Sequence, residues 1–323
     1  MTSQAATAKA MSPSRSAVDK TSWRLRWTRI KRNRWLYLML LPVIAYFAVF
    51  AYGPMYGLVI AFKDYGIFTG IADSPWIGVA HFERFFNSIY FWRLIRNTLV
   101  LNAYGLFVGF PAPIILALLL NEVMHGRFKR VVQTVSYLPH FVSLVVIVGL
   151  VQTFLSPSTG PVNLLIKGLG LDPINFLQEP GWFRHIYVWS GIWQEIGWGS
   201  IIYLAALSGI DPTLYESAEM DGAGRLARMW YISLPGIMPV AMVILLINLG
   251  NLLRVGFEKV FLLYNGSTLE VADVISTYVY RVGIQQQQYD FATAVGLFNS
   301  VICLILLVIF NWMANRAEQQ SLW

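Results

Sequence analysis

Six stretches of about twenty or more predominantly apolar residues, near 36–62, 95–120, 134–155, 186–208, 237–263 and 292–314, constrain this chain more than any other feature. A helix of about twenty residues crosses the hydrocarbon core of a bilayer. No water is available there, so a spanning chain must satisfy its own backbone N–H and C=O groups, which a helix does within each segment. The spacing therefore predicts an all-α polytopic membrane protein with six transmembrane helices. Composition agrees: 56% of the 323 residues are hydrophobic and 13% charged, which excludes an ordinary soluble domain. Twelve tryptophans suit the interfacial belts of such a protein. Cys303 is the single cysteine, so no internal disulfide forms, and its apolar run marks it as a packing residue.

Six spans leave both ends on one side, and the basic residues say which. Of 24 lysines and arginines, 15 fall on the N-terminal tail, the loop with Arg127, Lys129 and Arg130, the loop with Arg225 and Arg228, and Arg316. Seven fall on the three opposite loops, near 63–93, 157–185 and 264–290. Basic residues are retained on the cytoplasmic side, so both termini and the 211–235 loop are expected there. The chain then divides into a basic cytoplasmic tail, 1–34, and a six-span domain, 35–323. Within the tail, Trp23, Trp27 and Ile30 recur at helical spacing among Arg24, Arg26, Arg29, Lys31 and Arg32, a pattern for an interfacial helix on anionic membrane lipid. The apolar stretch that follows is too long for a cleavable signal peptide. The net charge of +7 sits where topology requires it and gives no reason to expect nucleic acid.

The 211–235 loop is the most distinctive polar segment. Asp211 and Pro212 read as the cap and first residue of a short helix, and Asp221-Gly222 as its stop. A second short helix is expected to run toward Leu234-Pro235. Ser217 and Ala218 beside Glu216 give this hairpin a small-residue surface that another protein can approach closely, with Tyr215 and Ala223 as further candidates for the contact. The plain alternative is a cytoplasmic connection between spans.

Catalytic patterns are missing. His81, His125, His140 and His185 never pair at metal-ligand spacing, and neither H-E-x-x-H nor G-x-S-x-G occurs. The histidines read as interfacial or loop residues. There is no G-x-x-x-x-G-K-[ST] phosphate loop, so ATP, if it drives this protein, must be hydrolysed by a separate subunit. Polar groups inside the spans are the next signal, because an unpaired charge at membrane depth usually faces a cavity or partner. Arg254 and Glu258 are four apart in the fifth span, with Asn248 and Asn251 on preceding turns. They read equally as an internal ion pair and as the lining of a polar path. In the fourth span Trp193, Gln194, Glu195 and Trp198 combine aromatic faces with hydrogen-bonding groups, as a sugar surface requires; an interfacial anchor is the other reading of the tryptophans. Gly105 and Gly109 form a weak G-x-x-x-G pattern, more often plain packing.

Glu216 and Ala218, then Gly222, then nine residues, then Ile232, Leu234 and Pro235, resemble the EAA loop of ABC importer permeases, with Ser217 where alanine is usual. The resemblance covers nearly all of the chain after residue 34, in stretches such as PMYGLVIAFKDY, QTVSYLPHFVS, WGSIIYLAALSGIDP, VGFEKVFLLYN and YDFATAVGLFNS. These look like permeases of bacterial polysaccharide and oligosaccharide importers, including the branch for uronate glycans such as alginate. The resemblance implies the type I importer permease fold, with the 211–235 loop as the coupling helix. It implies a second homologous permease, an ATP-binding cassette ATPase dimer that binds ATP and Mg, and an extracytoplasmic solute-binding protein. It also implies sugar import across the inner membrane by alternating access, with no catalysis and no metal in this chain. An anionic glycan would favour cations along the path, which makes Arg254 and Lys259 candidates. An ATP-independent secondary transporter or channel is the alternative. A membrane-embedded enzyme would have only Glu195 and Glu258 as its carboxylate pair.

Overall fold

The computed structural model describes residues 32–250 and 255–316, and the regular elements among them are helical. The basic segment expected as an interfacial helix lies almost wholly outside these residues. Two compact units divide the chain, Met1–Leu58 and Val59–Trp323. In the first, α1 (Arg34–Tyr46) continues into a π-helical turn, Phe47–Tyr52, and none of these side chains is buried. A helix apolar all round and uncovered within its own chain is suited to lipid or to another apolar surface.

In the second unit, short helices at Gly70–Asp73 and Ala80–Phe86 precede α2 (Phe91–Gly109) and α3 (Pro111–Asn121). They form one 31-residue helical path, because Phe110 keeps α-helical dihedrals and Pro111 opens α3 where its missing N–H costs least. Next, α4 (Gly126–Tyr137) and the 3-10 turn Leu138–Phe141 meet α5 (Leu144–Phe154) at a bend of 105°. Val142 and Ser143, extended at ψ 135° and 146°, make that break. The longest helix, α6 (Pro180–Ser208), has 29 residues and is about 44 Å long at 1.5 Å per residue. The loop helix α7 is Pro212–Met220, and α8 is Leu234–Gly250. Shorter α9 (Phe257–Leu263) and α10 (Ile275–Tyr280) precede the last long helix, α11 (Tyr289–Arg316).

Four helices among the described residues are long and apolar enough to cross a membrane, Arg34–Phe62, Phe91–Asn121, Arg225–Gly250 and Tyr289–Trp312, and the bent pair brings the number to five. Helix α6 has the length but is less apolar, because Arg184, His185, Gln194 and Glu195 interrupt its hydrophobic run.

Two expectations require correction. The limb after Gly222 is not a separate short helix: Arg225–Arg228, a π-helical turn at Met229–Ser233 and α8 form one path of 26 residues. The fifth span is not one helix through 263. Helix α8 is described as far as Gly250, and Gly256, at φ −59° and ψ 107°, is the non-helical cap of α9. Arg254 and Glu258 therefore cannot share the face of a continuous helix, since the chain is not helical at Val255–Gly256 between them. Arg254 and Asn251 lie outside the described residues.

Helix α6 is the centre of this unit and packs against α2, α3, α4, α5, α8 and α9. One apolar cluster joins Ile114, Ala117 and Leu118 of α3, Tyr203 and Leu207 of α6, and Ile237 and Ala241 of α8. A second, aromatic-rich cluster gathers Phe85, Leu94, Tyr278 and Phe291. In lipid such contacts gain little from the hydrophobic effect, so close packing and polar ties must hold helices together. The closest packing is at Gly197, where a Cβ would collide with the main-chain carbonyl oxygen of Ser136.

Gly197→Ala is therefore expected to destabilise the protein by roughly 1–3 kcal/mol, the usual cost of overpacking. Gly105→Ala, whose Cβ would meet nothing within 4 Å, is expected to leave stability near that of the unaltered protein. Thermal unfolding of the detergent-purified proteins compares the two.

Candidate functional site

The loop of interest begins with a cap. Asp211 Oδ1 accepts the Thr213 N–H at 3.0 Å, Pro212 follows as the first helical residue, and α7 runs for nine residues. That hydrogen bond holds the Asp211 carboxyl below its ordinary range. The cap is therefore fully formed at neutral pH and weakens only as the pH falls through the lowered value.

Helix α7 ends in a left-handed turn. Gly222 has φ +78°, its N–H donates to Glu219 O at 3.0 Å, and Ala223 N–H donates to Ala218 O at 2.8 Å. This pair of bonds is the Schellman closure, which favours glycine at its left-handed position. Asp221, just before it, donates its N–H to Ser217 O. The expected stop at Asp221-Gly222 is thus present in its geometry.

Two side-chain ties fasten α7 to the long helices. Tyr215 Oη lies 2.9 Å from Ser233 Oγ, at the foot of α8. Arg228 donates from Nη1 to Glu219 Oε2 at 3.0 Å, and its Nη2 lies 3.8 Å from Glu122 Oε2 at the end of α3. Glu216 and Ser217 remain exposed, Ala218, Ala223 and Leu234 are half-buried, and Pro235 is exposed at the start of α8. At the turn, Met220 and Leu226 are 88% and 75% exposed. An apolar patch on a loop fastened at both ends suits docking of another protein.

The second feature is a pair of cavities beside α6. The larger, about 760 Å³, is lined by Asn102, Gly105, Gly109, Glu195, Trp198 and Asn248 among others. The smaller, about 380 Å³, shares Gly105, Gly109, Tyr187 and Glu195 and adds Gln194 and Lys259. Both fall in the size range of ligand pockets. Gly105 and Gly109 widen this wall: a Cβ at Gly105 would meet nothing within 4 Å, and one at Gly109 only Ile192 at 3.8 Å.

Glu195 and Trp198 are one turn apart on α6 and face the larger cavity together. His140 joins them across the bend, its Nδ1 2.9 Å from Glu195 Oε2 and its ring stacked on Trp198 at 4.4 Å with an interplanar angle of 2°. A flat aromatic wall beside a carboxylate and the Asn248 amide can bind a polyhydroxylated ring through its CH face and its hydroxyls. Gln194 turns toward the bend and donates to Val142 O at 3.4 Å.

The other sequence candidates separate. Trp193 is exposed and lines neither cavity, and Glu258 is exposed in the first turn of α9, outside both. Its neighbour Lys259 takes the inward position. Tyr187 belongs to this site without having been named from the sequence, and His140, read there as an interfacial or loop residue, belongs to it through Glu195 and Trp198. The one available signal for His140 was its place in QTVSYLPHFVS beside a proline. Among the described residues no group of three or more His, Cys, Asp or Glu is placed to hold a metal ion.

The profile of the family described as "Binding-protein-dependent transport system inner membrane component" matches residues 109–320. Protein LplB of Bacillus subtilis (strain 168) is 47% identical over 294 residues, 91% of this chain and 92% of that protein. The polygalacturonan/rhamnogalacturonan transport system permease protein YteP of the same organism is 46% identical over 319 residues, covering 98% and 99%. Among solved structures, a bacterial ABC transporter involved in import of the acidic polysaccharide alginate has a chain 51% identical, with TM-score 0.85, covering 91% of this chain and 99% of that one. A bacterial alginate ABC transporter in complex with an alginate pentasaccharide-bound periplasmic protein gives 50% identity and TM-score 0.85, covering 92% and 99%.

Because Arg228 ties α7 to α3, Arg228→Gln is expected to loosen α7 without unfolding the spans. Amide hydrogen exchange over 212–223 should then accelerate several-fold, the size expected for a partly buried charge-assisted bond worth about 1 kcal/mol. Unchanged protection there would show that Arg228 does not hold the loop.

Proposed function

The chain belongs to the family of binding-protein-dependent transport system inner membrane components, and from that premise we propose that it moves an acidic oligo- or polysaccharide into the cytoplasm as one permease of an ATP-driven importer. The observation that carries this reading is α7, an exposed helix fastened by Tyr215 and Arg228 to the feet of α8 and α3. A loop tied in this way can pass a push from a soluble subunit to several long helices at once. In this reading the 211–235 loop couples to the partner, with Tyr215, Glu216, Ser217, Ala218, Asp221, Gly222, Ala223, Leu234 and Pro235 at or beside the contact.

The proposed assembly contains a second homologous permease, an ATPase dimer that binds ATP and Mg, and an extracytoplasmic solute-binding protein that delivers the glycan. The chain itself supplies no hydrolysis. Helix α6 and the bent α4–α5 pair complete six spans, and both termini lie in the cytoplasm with the 211–235 loop. The glycan passes the wall formed by Glu195, Trp198 and Asn248 as rigid groups of helices rock between outward- and inward-facing states. The acidic class follows from the alginate importer and the polygalacturonan permease, each close to half identical to this chain over nearly its whole length.

Gly222→Val places a β-branched L side chain in the left-handed region. The conformation alone costs roughly 1–2 kcal/mol for an L residue, about tenfold in the population of the turn. Uptake in ATP-loaded vesicles is expected to fall at least that far, and the ATPase to co-purify poorly. Normal uptake with normal ATPase retention would sink the coupling assignment and favour ATP-independent transport.

A separate expectation concerns delivery. Sugar should stimulate ATP hydrolysis only when the binding protein is present, because the loops between spans are short. Comparable stimulation by sugar alone would remove the binding protein from the assembly.

A further inference from the structure

Lys259 stands apart from the other basic side chains of this unit. It is 8% exposed, in α9, and lines the smaller cavity. Its ammonium lies 5.0 Å from the centre of the Tyr187 ring, and no ion pair or hydrogen bond engages it among the described residues. An ammonium has three protons to donate, and an aromatic face replaces only part of what water supplied.

Neighbouring acids do not fill the vacancy. Glu195 lines the same cavity and its charge acts on Lys259, but the two form no ion pair, and the Glu195 carboxylate is bonded to His140. Glu258, adjacent in sequence, is exposed and outside the cavity. Room for the ammonium comes from α6, where a Cβ on Gly191 would lie 2.9 Å from Lys259 Nζ. A cation thus lines a cavity wall beside a glycine gap and an aromatic ring.

We propose that Lys259 is the carboxylate-recognition residue of this cavity, pairing with the C6 carboxylate of a uronate unit as the glycan passes. The inference rests on the transport reading above and adds a specific acid-selecting contact to it. A neutral hexose of the same shape leaves the ammonium unpaired, and a site built to hydrogen-bond a missing group discriminates strongly against the analogue. The larger cavity adjoins this one through the shared Gly105, Gly109, Tyr187 and Glu195 and carries Trp198; an aromatic face there meets the CH faces common to both kinds of ring, so the charge distinction falls to Lys259.

The test uses the full complex in proteoliposomes with saturating binding protein. Uptake of a uronate trisaccharide is compared with that of its carboxyl-reduced counterpart in wild type, Lys259→Gln, Lys259→Arg and Gly191→Ala. Lys259→Gln is expected to lower uronate uptake roughly ten- to hundredfold, the value of a charge-assisted bond, and to leave uptake of the reduced sugar within about twofold. Lys259→Arg should retain most uronate uptake. Gly191→Ala, which displaces the ammonium without removing its charge, should lie between. Undiminished uronate uptake in Lys259→Gln, or equal loss of both sugars, overturns the assignment. A loss in Lys259→Gln and Gly191→Ala that follows a fall in assembled complex shows a contact between subunits instead and also overturns it. A wild-type complex that moves neither sugar removes the transport reading itself, and this inference with it.

Discussion

The backbone contact between Gly197 of α6 and Ser136 at the end of α4 sets much of what surrounds it. Helix α6 carries Arg184, His185, Gln194 and Glu195, groups that are costly to leave facing hydrocarbon. It therefore takes the centre of the unit, and the more uniformly apolar α3 and α8 lie against it. Only a residue without a Cβ allows the turn before Leu138–Phe141 to approach so closely. That approach carries His140 to Glu195 and Trp198, and it brings the open carbonyl of Val142 to the Gln194 amide. The 105° bend, the cavity wall and the central helix form one connected arrangement.

Polar ties do the remaining alignment. Asn97, fully buried in α2, donates to the carbonyls of Glu270 and Asp273 at 2.8 and 3.1 Å and accepts from Arg184 of α6 at 3.1 Å. Asp273, also buried, receives both terminal nitrogens of Arg281 and is approached by Arg93 at 3.9 Å. The segment before α10 is thereby pinned to two long helices at once. Arg228 plays the matching part beside α7, joining Glu219 to Glu122. The bonds of Asn97 to Glu270 and Asp273, and the approach of Arg228 to Glu122, link segments far apart in sequence, which helix-on-helix packing in lipid specifies only weakly.

These distances explain what the sequence made legible. Local chemistry was: the Asp211 cap and the Gly222 turn are decided by residues within a few positions of one another, and α7 follows them, whereas of the six apolar runs the third is bent by 105° and the fifth is not one helix. Arg254 and Glu258 were grouped by assuming that helical periodicity continues through Val255-Gly256, and a glycine there could end the helix as readily as sit within it. The limb after Gly222 was cut short for the opposite reason: Pro235 read as a stop, yet the π-helical turn before it lets the helix pass. Family resemblance identified the class of the chain directly. The partnership of Glu195 with His140 spans 55 positions and that of Lys259 with Tyr187 spans two separate helices, so neither leaves a periodic trace.

The turn after α7 has a stereochemical consequence. A Cβ at Gly222 would meet nothing within 4 Å, while its φ of +78° lies where L residues are disfavoured. The restriction within this chain is one of handedness, not volume. Position 222 would accept the mirror-image side chain: a D-alanine introduced by peptide ligation fits the same backbone that L-alanine strains. Asparagine, the L residue that enters this region most readily, should be the best tolerated of the encoded replacements. Whatever volume limit exists at position 222 must come from a surface outside this chain, so the difference between D-alanine and a bulkier D residue there measures how closely a partner approaches the turn.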